Sequence, residues 1–329
     1  MRVGTNPNKI NNIIKSDYLH QVLIPVYIPN QEGYFKDAFE IFKLCLESLF
    51  KTSHSKTFFT IVNNGSCNKV KDFIDYLLFE NKVHEVIHTS NIGKINAIFK
   101  GIMGHSFDYV TITDADVLFL SNWQQKTNEV FINFPNSGVV GIVPLIEMYH
   151  YLSENTIMLS FLNKNLKSYP IEDEVSLKLF FESIGRLYDC TPDRINNNLV
   201  IKNKSNNFRS YVGAAHFVAT YKGSIFNKIK KYENVKMGGI GIRYLDELAY
   251  NKNLWRLTTI NNLAYHMGNV SEQWMYDILQ NQTLPNSNES LVFNSKFTPV
   301  KKYIFYNLLN SFIKRFLIKR IHTFVPKDT

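Results

Sequence analysis

Cysteine is scarce: the 329 residues hold only Cys45, Cys67 and Cys190, with no Cys-x-x-Cys pair. That gives no sign of a disulfide framework or a zinc cluster, and a reducing compartment is the simplest expectation. Long apolar runs are missing as well. Nowhere do about 18 apolar residues follow one another, and Met1 to Lys15 is polar, Asn-rich and without an apolar signal core. These absences lead to the expectation of a cytoplasmic chain with no membrane span. Acidic residues are almost absent from the C-terminus, where 296–329 carries eight Lys/Arg against Asp328 alone, a net +7. The other 295 residues hold 29 basic and 27 acidic groups, so the total of +9 is concentrated in the tail. A nearly neutral body is a poor match for nucleic acid, and no such partner is expected.

What is present is a hydrophobic content of 45%, enough for the core of one large domain with an appended piece. Gln21 to Tyr27 is a short apolar run ended by Pro29-Asn30 and reads as a buried strand. Phe39, Phe42, Leu46 and Leu49 give a helical stripe over 37–50, Phe58 to Val62 a second strand stopped by Asn63-Asn64-Gly65-Ser66, and Val70 to Leu78 a second helix. A strand at 83–88, a turn at Asn91-Ile92-Gly93, a helix at 94–103 and a strand at 109–113 follow. Such alternation predicts an α/β fold with a mostly parallel sheet, helices on both faces and ligands at the carboxyl ends of the strands. Further along, 138–143 reads as a strand, 150–207 as mostly helical with a polar Asn-rich surface loop, 211–219 as a strand, 244–252 as a helix and 257–265 as a strand.

Asp114-Ala115-Asp116 closes the fourth strand. Two carboxylates one residue apart can reach a single Mn²⁺ or Mg²⁺ if the turn brings them round, since hard cations take oxygen ligands and keep positions open for phosphate. The competing reading is a helix cap followed by a solvated loop charge. Asn63 and Asn64 are open to being turn formers only, His266 to being structural, and Glu172-Asp173-Glu174 reads as a solvated loop or a helix start.

Taken in order, Val22 to Tyr27, Ile61 to Ser66, Asn91 to Lys94 and Asp114 to Asp116 resemble the family 2 glycosyltransferases of the GT-A fold, over roughly residues 20–270. The resemblance implies a Rossmann-like domain divided at about 145 into a nucleotide-binding and an acceptor-binding half, flanked by extensions at 1–19 and 271–329. It implies a nucleotide-sugar donor, a UDP-sugar in the first instance, and inverting transfer to a glycan or lipid-linked acceptor in surface polysaccharide or glycoconjugate synthesis. Pro25, Tyr27, Asn63 and Asn64 would bind the nucleotide with Lys94 nearby, although an aspartate often stands where Asn63 does. Asp114 would face ribose and metal, Asp116 would ligate the metal, and His266 would supply a further metal or diphosphate contact. Downstream of the Gly-rich stretch 237–241, Asp246 is the implied general base and Glu247 the competing choice; the bland reading is acids favouring a helix dipole. The alternatives are a nucleotidyltransferase, which would want a Gly-rich phosphate loop that Pro25 to Asn30 lacks, and a non-catalytic nucleotide-sugar binding protein.

Residues 300–322 place Ile304, Phe305, Leu308, Leu309, Phe312 and Phe316 on one helical arc bordered by basic groups. A helical basic tail lying on an anionic membrane surface is expected there, packing on the body being the other reading.

Overall fold

A computed structural model of the chain describes Gly4, residues 16–227 and 239–282, and, near the C-terminus, Phe316, Arg320, Ile321 and 324–328. The elements run β1 (His20–Val26), α1 (Ala38–Thr52), β2 (Thr57–Asn64), α2 (Asn68–Phe79), β3 (Glu85–Thr89), α3 (Lys94–Ile102) and β4 (Tyr109–Thr113). Then come β5 (Val117–Phe119), α4 (Trp123–Asn133), β6 (Ser137–Gly141), α5 (Glu154–Leu162), β7 (Leu166–Tyr169), α6 (Glu174–Ser183), α7 (Pro192–Asn196) and β8 (Asn198–Lys202). β9 (Arg209–Val212), β10 (Val218–Lys222), α8 (Gly239–Asn251), β11 (Trp255–Thr258), β12 (Ala264–His266) and α9 (Gln273–Gln280) complete the described part.

Ten strands form one sheet in the order β3-β2-β1-β4-β10-β6-β11-β9-β8-β7, while β12 pairs with β5 in a separate ribbon. The pairings make β3, β2, β1, β4, β6, β11 and β8 run one way and β10, β9 and β7 the other, so the large sheet is mostly parallel. Side chains alternate across it as the period of two requires. Val22 and Ile24 pack with α1, α2 and α9 on one face, and Leu23 packs with α3 and α8 on the other. Both faces are therefore covered, and the α/β class with helices on each side matches the expectation from sequence. Pro25 sits in β1, a central strand, yet β4 pairs only with residues 20–23, so on that side no ladder bond is lost to its missing N–H.

Several local expectations are corrected. The stretch 150–207 contains two strands, β7 and β8, with three helices. Asn198 is no surface loop residue: it starts β8, is buried, donates to the carbonyls of Arg194 and Ile195, and accepts from the Glu147 N–H. The single strand expected at 211–219 is split between β9 and β10, where Gly213, at φ +99°, sits against the Met148 backbone. The strand expected at 257–265 divides between the large sheet and the ribbon. The acidic run is a helix start, with Asp173 capping α6 by accepting from the Ser176 N–H.

The arc at 300–322 lies outside the described residues except for Phe316, Arg320 and Ile321, as does 1–19 except for Gly4 and 16–19. The described residues near the C-terminus touch the body. Ile321 is buried beside β7 and β8, Asp328 is ion-paired with Lys202 (2.8 Å) and Arg209, and its N–H donates to the Ser168 carbonyl. Among the described residues no helix is long and apolar enough to cross a membrane.

Candidate active site

Parallel β1, β2, β3 and β4 bring Val26, Asn64, Thr89 and Thr113 to one edge of the sheet. Antiparallel β10 pairs Val218 with Thr113, so the residues before it reach that same edge. The backbone records the junction: the Asp114 N–H donates to the Phe217 carbonyl at 2.8 Å.

At the β2 end the two asparagines are both buried and both engaged. Asn63 accepts from the Ser66 N–H through Oδ1 (2.9 Å) and turns its amide nitrogen to His88 Nδ1 (2.9 Å), whose Nε2 in turn meets Asp75 (2.8 Å). Asn64 Oδ1 accepts from the Ile92 N–H (2.9 Å) and the Thr89 hydroxyl (3.2 Å), which fastens β2 to the loop entering α3. Gly65 makes that approach possible: at φ +90°, a Cβ there would stand 2.8 Å from the Asn91 nitrogen. Pro25 is buried within β1, whereas Tyr27 is exposed and meets Phe35 edge-on. Fixed by this loop, Lys94 opens α3 and ion-pairs with Asp114.

Asp116 is placed by the ribbon. Register puts His266 of β12 opposite Val117 of β5, and the Met267 N–H donates to the Asp116 carbonyl (2.8 Å). His266 Nε2 consequently lies 3.5 Å from Asp116 Oδ2, its Nδ1 meets the Ser183 hydroxyl at 3.0 Å, and Phe180 and Phe217 stand edge-on to its ring. Asp116 Oδ1 is enclosed and has no hydrogen-bond partner among the described residues. Burial pushes the Asp116 carboxyl above the usual range; His266 pulls it back and Asp114 adds to the rise.

Asp246 of α8 is 1% exposed. Its Oδ1 accepts from Arg256 (2.9 Å), an arginine 0% exposed in β11 that also donates to the carbonyls of Tyr151 (2.8 Å) and Ala214 (2.6 Å). Oδ2 is enclosed without a partner among the described residues, and His216 Nδ1 stands 3.8 Å from it. Burial raises the Asp246 pKa, opposed by Arg256 and then His216. Glu247 does not join this group; it pairs one turn back with Arg243 at 2.6 Å on the helix surface. Residues 237 and 238 of the Gly-rich stretch lie outside the described residues, as do the side chains of 239–242.

Three residues of the site escaped the sequence reading. His216 fell inside a stretch read as one strand, and a parallel-sheet rule looks after strand ends, not before them. Arg256 carried a usable signal, because a charge between Trp255 and Leu257 in a buried strand demands a partner. His88 closes a third strand without any motif of its own.

Residues 33–185, less than half of the chain, match the family model described as Glycosyl transferase family 2. No curated protein sequence matches the chain. Among solved structures, S. aureus TarS 1-349 is similar at 11% identity and a TM-score of 0.45, over 79% of this chain and 69% of that one. The mannosyltransferase PcManGT from Pyrobaculum calidifontis, in complex with GDP-Man and Mn²⁺, is similar at 17% identity and a TM-score of 0.32, over 40% of this chain and 36% of that one. GalNAc-T7 with UDP, GalNAc and Mn²⁺ is similar at 12% identity and a TM-score of 0.49, over 77% and 44% respectively. The chain thus spans less than half the length of two of these three.

Proposed function

We propose that the chain is a divalent-metal-dependent glycosyltransferase. It moves a sugar from a nucleoside-diphosphate sugar, a UDP-sugar by preference, to a glycan or lipid-linked acceptor with inversion, through a GT-A-type unit at about 20–270. The observation that carries the reading is the Asp116–His266 pair with its enclosed, unpartnered carboxylate oxygen. The family-model match supports it, because 33–185 contains Asn63, Asn64, Lys94, Asp114 and Asp116.

The residues present fit a cation such as Mn²⁺ or Mg²⁺. The Asp116 carboxylate has one oxygen, Oδ2, 3.5 Å from the His266 imidazole nitrogen and the other, Oδ1, buried with no hydrogen-bond partner among the described residues, a set of lone pairs that a cation would satisfy. Among the described residues no three His, Cys, Asp or Glu side chains converge on one point. A cation held here would therefore depend on substrate phosphates for the rest of its ligands, as Mg²⁺ sites with one or two carboxylates usually do. Asp116 and His266 would hold the cation, and Asp114, braced by Lys94, would face ribose and metal. A cation held there would supply Lewis-acid stabilisation of the diphosphate leaving group, worth several kcal/mol. Lys94 adds a second positive charge on the same side, and the Asn63–Ser66 turn, with Pro25 and Tyr27, forms the base-binding flank.

Thermal denaturation with UDP, with and without Mn²⁺, tests the reading. UDP at about 100 times its dissociation constant would add about 2.7 kcal/mol, a rise of several degrees. The shift should need Mn²⁺ and vanish in Asp116→Asn; a metal-independent shift retained by that variant would argue against the assigned site.

A further inference from the structure

Asp246 is the residue that sequence resemblance nominates as general base, yet its surroundings fit another task. A base must come within hydrogen-bond reach of the acceptor hydroxyl, directly or through one water. Asp246 is 1% exposed, one oxygen is held by the buried Arg256, and the other is enclosed. The ring facing that second oxygen is His216, whose side chain is 46% exposed.

We propose that His216 is the catalytic base and Asp246 a positioning residue behind it, in a His–Asp dyad oriented by Arg256. This rests on the glycosyltransferase reading and deepens it. The geometry supports it in three ways. His216 Nδ1 lies 3.8 Å from Asp246 Oδ2, so the pair needs only a small closure to become hydrogen-bonded and leave Nε2 as the basic nitrogen. His216 immediately precedes Phe217, whose carbonyl is bonded to the Asp114 N–H, so its backbone lies beside the proposed donor site, and Lys94 and Asp114 are among the charged groups that act on its ring. Arg256 also donates to the carbonyl of Ala214, two residues before His216, which ties the same guanidinium to both members of the dyad. Burial lowers the His216 pKa, and of the charged groups acting on the ring Asp246 and Asp114 raise it while Lys94 and Arg256 lower it, so no anionic wall holds the ring protonated.

In the step so assigned, the acceptor hydroxyl oxygen forms a bond to the anomeric carbon while its proton passes to His216 Nε2. The bond from the anomeric carbon to the diphosphate oxygen breaks, and its electron pair leaves on that oxygen. The imidazolium that results is stabilised by the Asp246 carboxylate through Nδ1–H. Water in place of the acceptor gives donor hydrolysis by the same proton path.

The experiment uses the full chain with a panel of UDP- and GDP-sugars and Mn²⁺, water serving as acceptor, and reads release of nucleoside diphosphate. His216→Ala should lower kcat by about 100-fold or more, in the range of general-base catalysis, with donor KM little changed. Added imidazole should restore part of the loss, which a packing role for His216 would not allow. His216→Ala retaining most of the rate while Asp246→Asn loses it would overturn the proposal and return the base role to Asp246. A wild-type chain that turns over no sugar nucleotide would overturn the glycosyltransferase reading, and the base role with it. A second arm needs no turnover: in histidine-labelled protein, Asp246→Asn should lower the His216 titration midpoint by about one pH unit or more, as loss of a nearby opposite charge does. An unchanged midpoint would remove Asp246 from the dyad.

Discussion

Replacing Arg256 with methionine should be among the most destabilising single changes in this molecule, and its cost should be largely recoverable at Asp246. The guanidinium is fully buried and serves three acceptors: the carbonyls of Tyr151 and Ala214 and the Asp246 carboxylate. Methionine keeps much of the volume but removes the charge and every donor. Two carbonyls lose a partner, at about 1 kcal/mol each as a net hydrogen-bond value. The larger part is the Asp246 charge left buried without its cation, a loss usually of about 3–5 kcal/mol when one partner of a buried pair is removed. Arg256→Met should therefore cost about 5–7 kcal/mol in all. Adding Asp246→Asn removes the stranded charge, so the double variant should be about 2–3 kcal/mol more stable than Arg256→Met alone. Urea unfolding followed by far-UV circular dichroism measures all four corners of the cycle. If the two substitutions simply add, so that the double variant is the least stable of the four, the buried-pair argument is wrong.

Gly65→Ala forces a φ of +90° on a residue with a side chain and drives its Cβ against the Asn91 backbone at 2.8 Å; a loss of about 2 kcal/mol or more is expected by urea unfolding. Because Asn64 would be pulled from the loop leading to Lys94, nucleotide affinity measured by calorimetry with UDP and Mn²⁺ should fall too. His20 gives a pH prediction. Burial, with a smaller push from His54, lowers its pKa to about 3, and the ring is held by Thr111 at 2.7 Å and Gln124 at 2.9 Å. Between about 3 and 6.5 the unfolded chain binds the proton and the folded chain does not, so this contribution is complete above 6.5 and declines as pH falls through that window, by up to about 1.4 kcal/mol per unit. The slope between pH 7 and 5 should flatten in His20→Asn; an equal slope would assign it to other groups.

The first half of the sheet was legible in the sequence because it obeys one rule: apolar runs of five to eight residues, helical stripes between them, and turn residues where ligands gather. From Gln21 to Thr113 each expected strand and helix is present within a few residues. Beyond Asp116 the rule changes. β10 enters antiparallel beside β4, and β5 with β12 forms a ribbon outside the sheet, so periodicity alone could not divide 211–219 or 257–265 into their parts. The same change hid His216, which is brought to the site by the strand that follows it. Asp116 and His266, nominated separately, are brought together by the β5–β12 ladder, a pairing across some 150 residues that no local pattern encodes. Asn64 illustrates the opposite outcome. It stands where expected, but its side-chain oxygen is committed to the Ile92 N–H and the Thr89 hydroxyl, so its described role is to join β2 to the α3 loop.

If, as proposed, this edge of the sheet transfers a sugar with a divalent cation held by Asp116, turnover must depend on both the cation and that carboxylate. The most direct measurement is nucleoside diphosphate release from UDP- and GDP-sugars by the wild-type chain and by Asp116→Asn, each with Mn²⁺ and with a chelator. Turnover by the wild type that the chelator abolishes is expected, with a loss of about 100-fold or more in Asp116→Asn while its melting temperature stays within a few degrees. Turnover indifferent to both chelation and the substitution would contradict it.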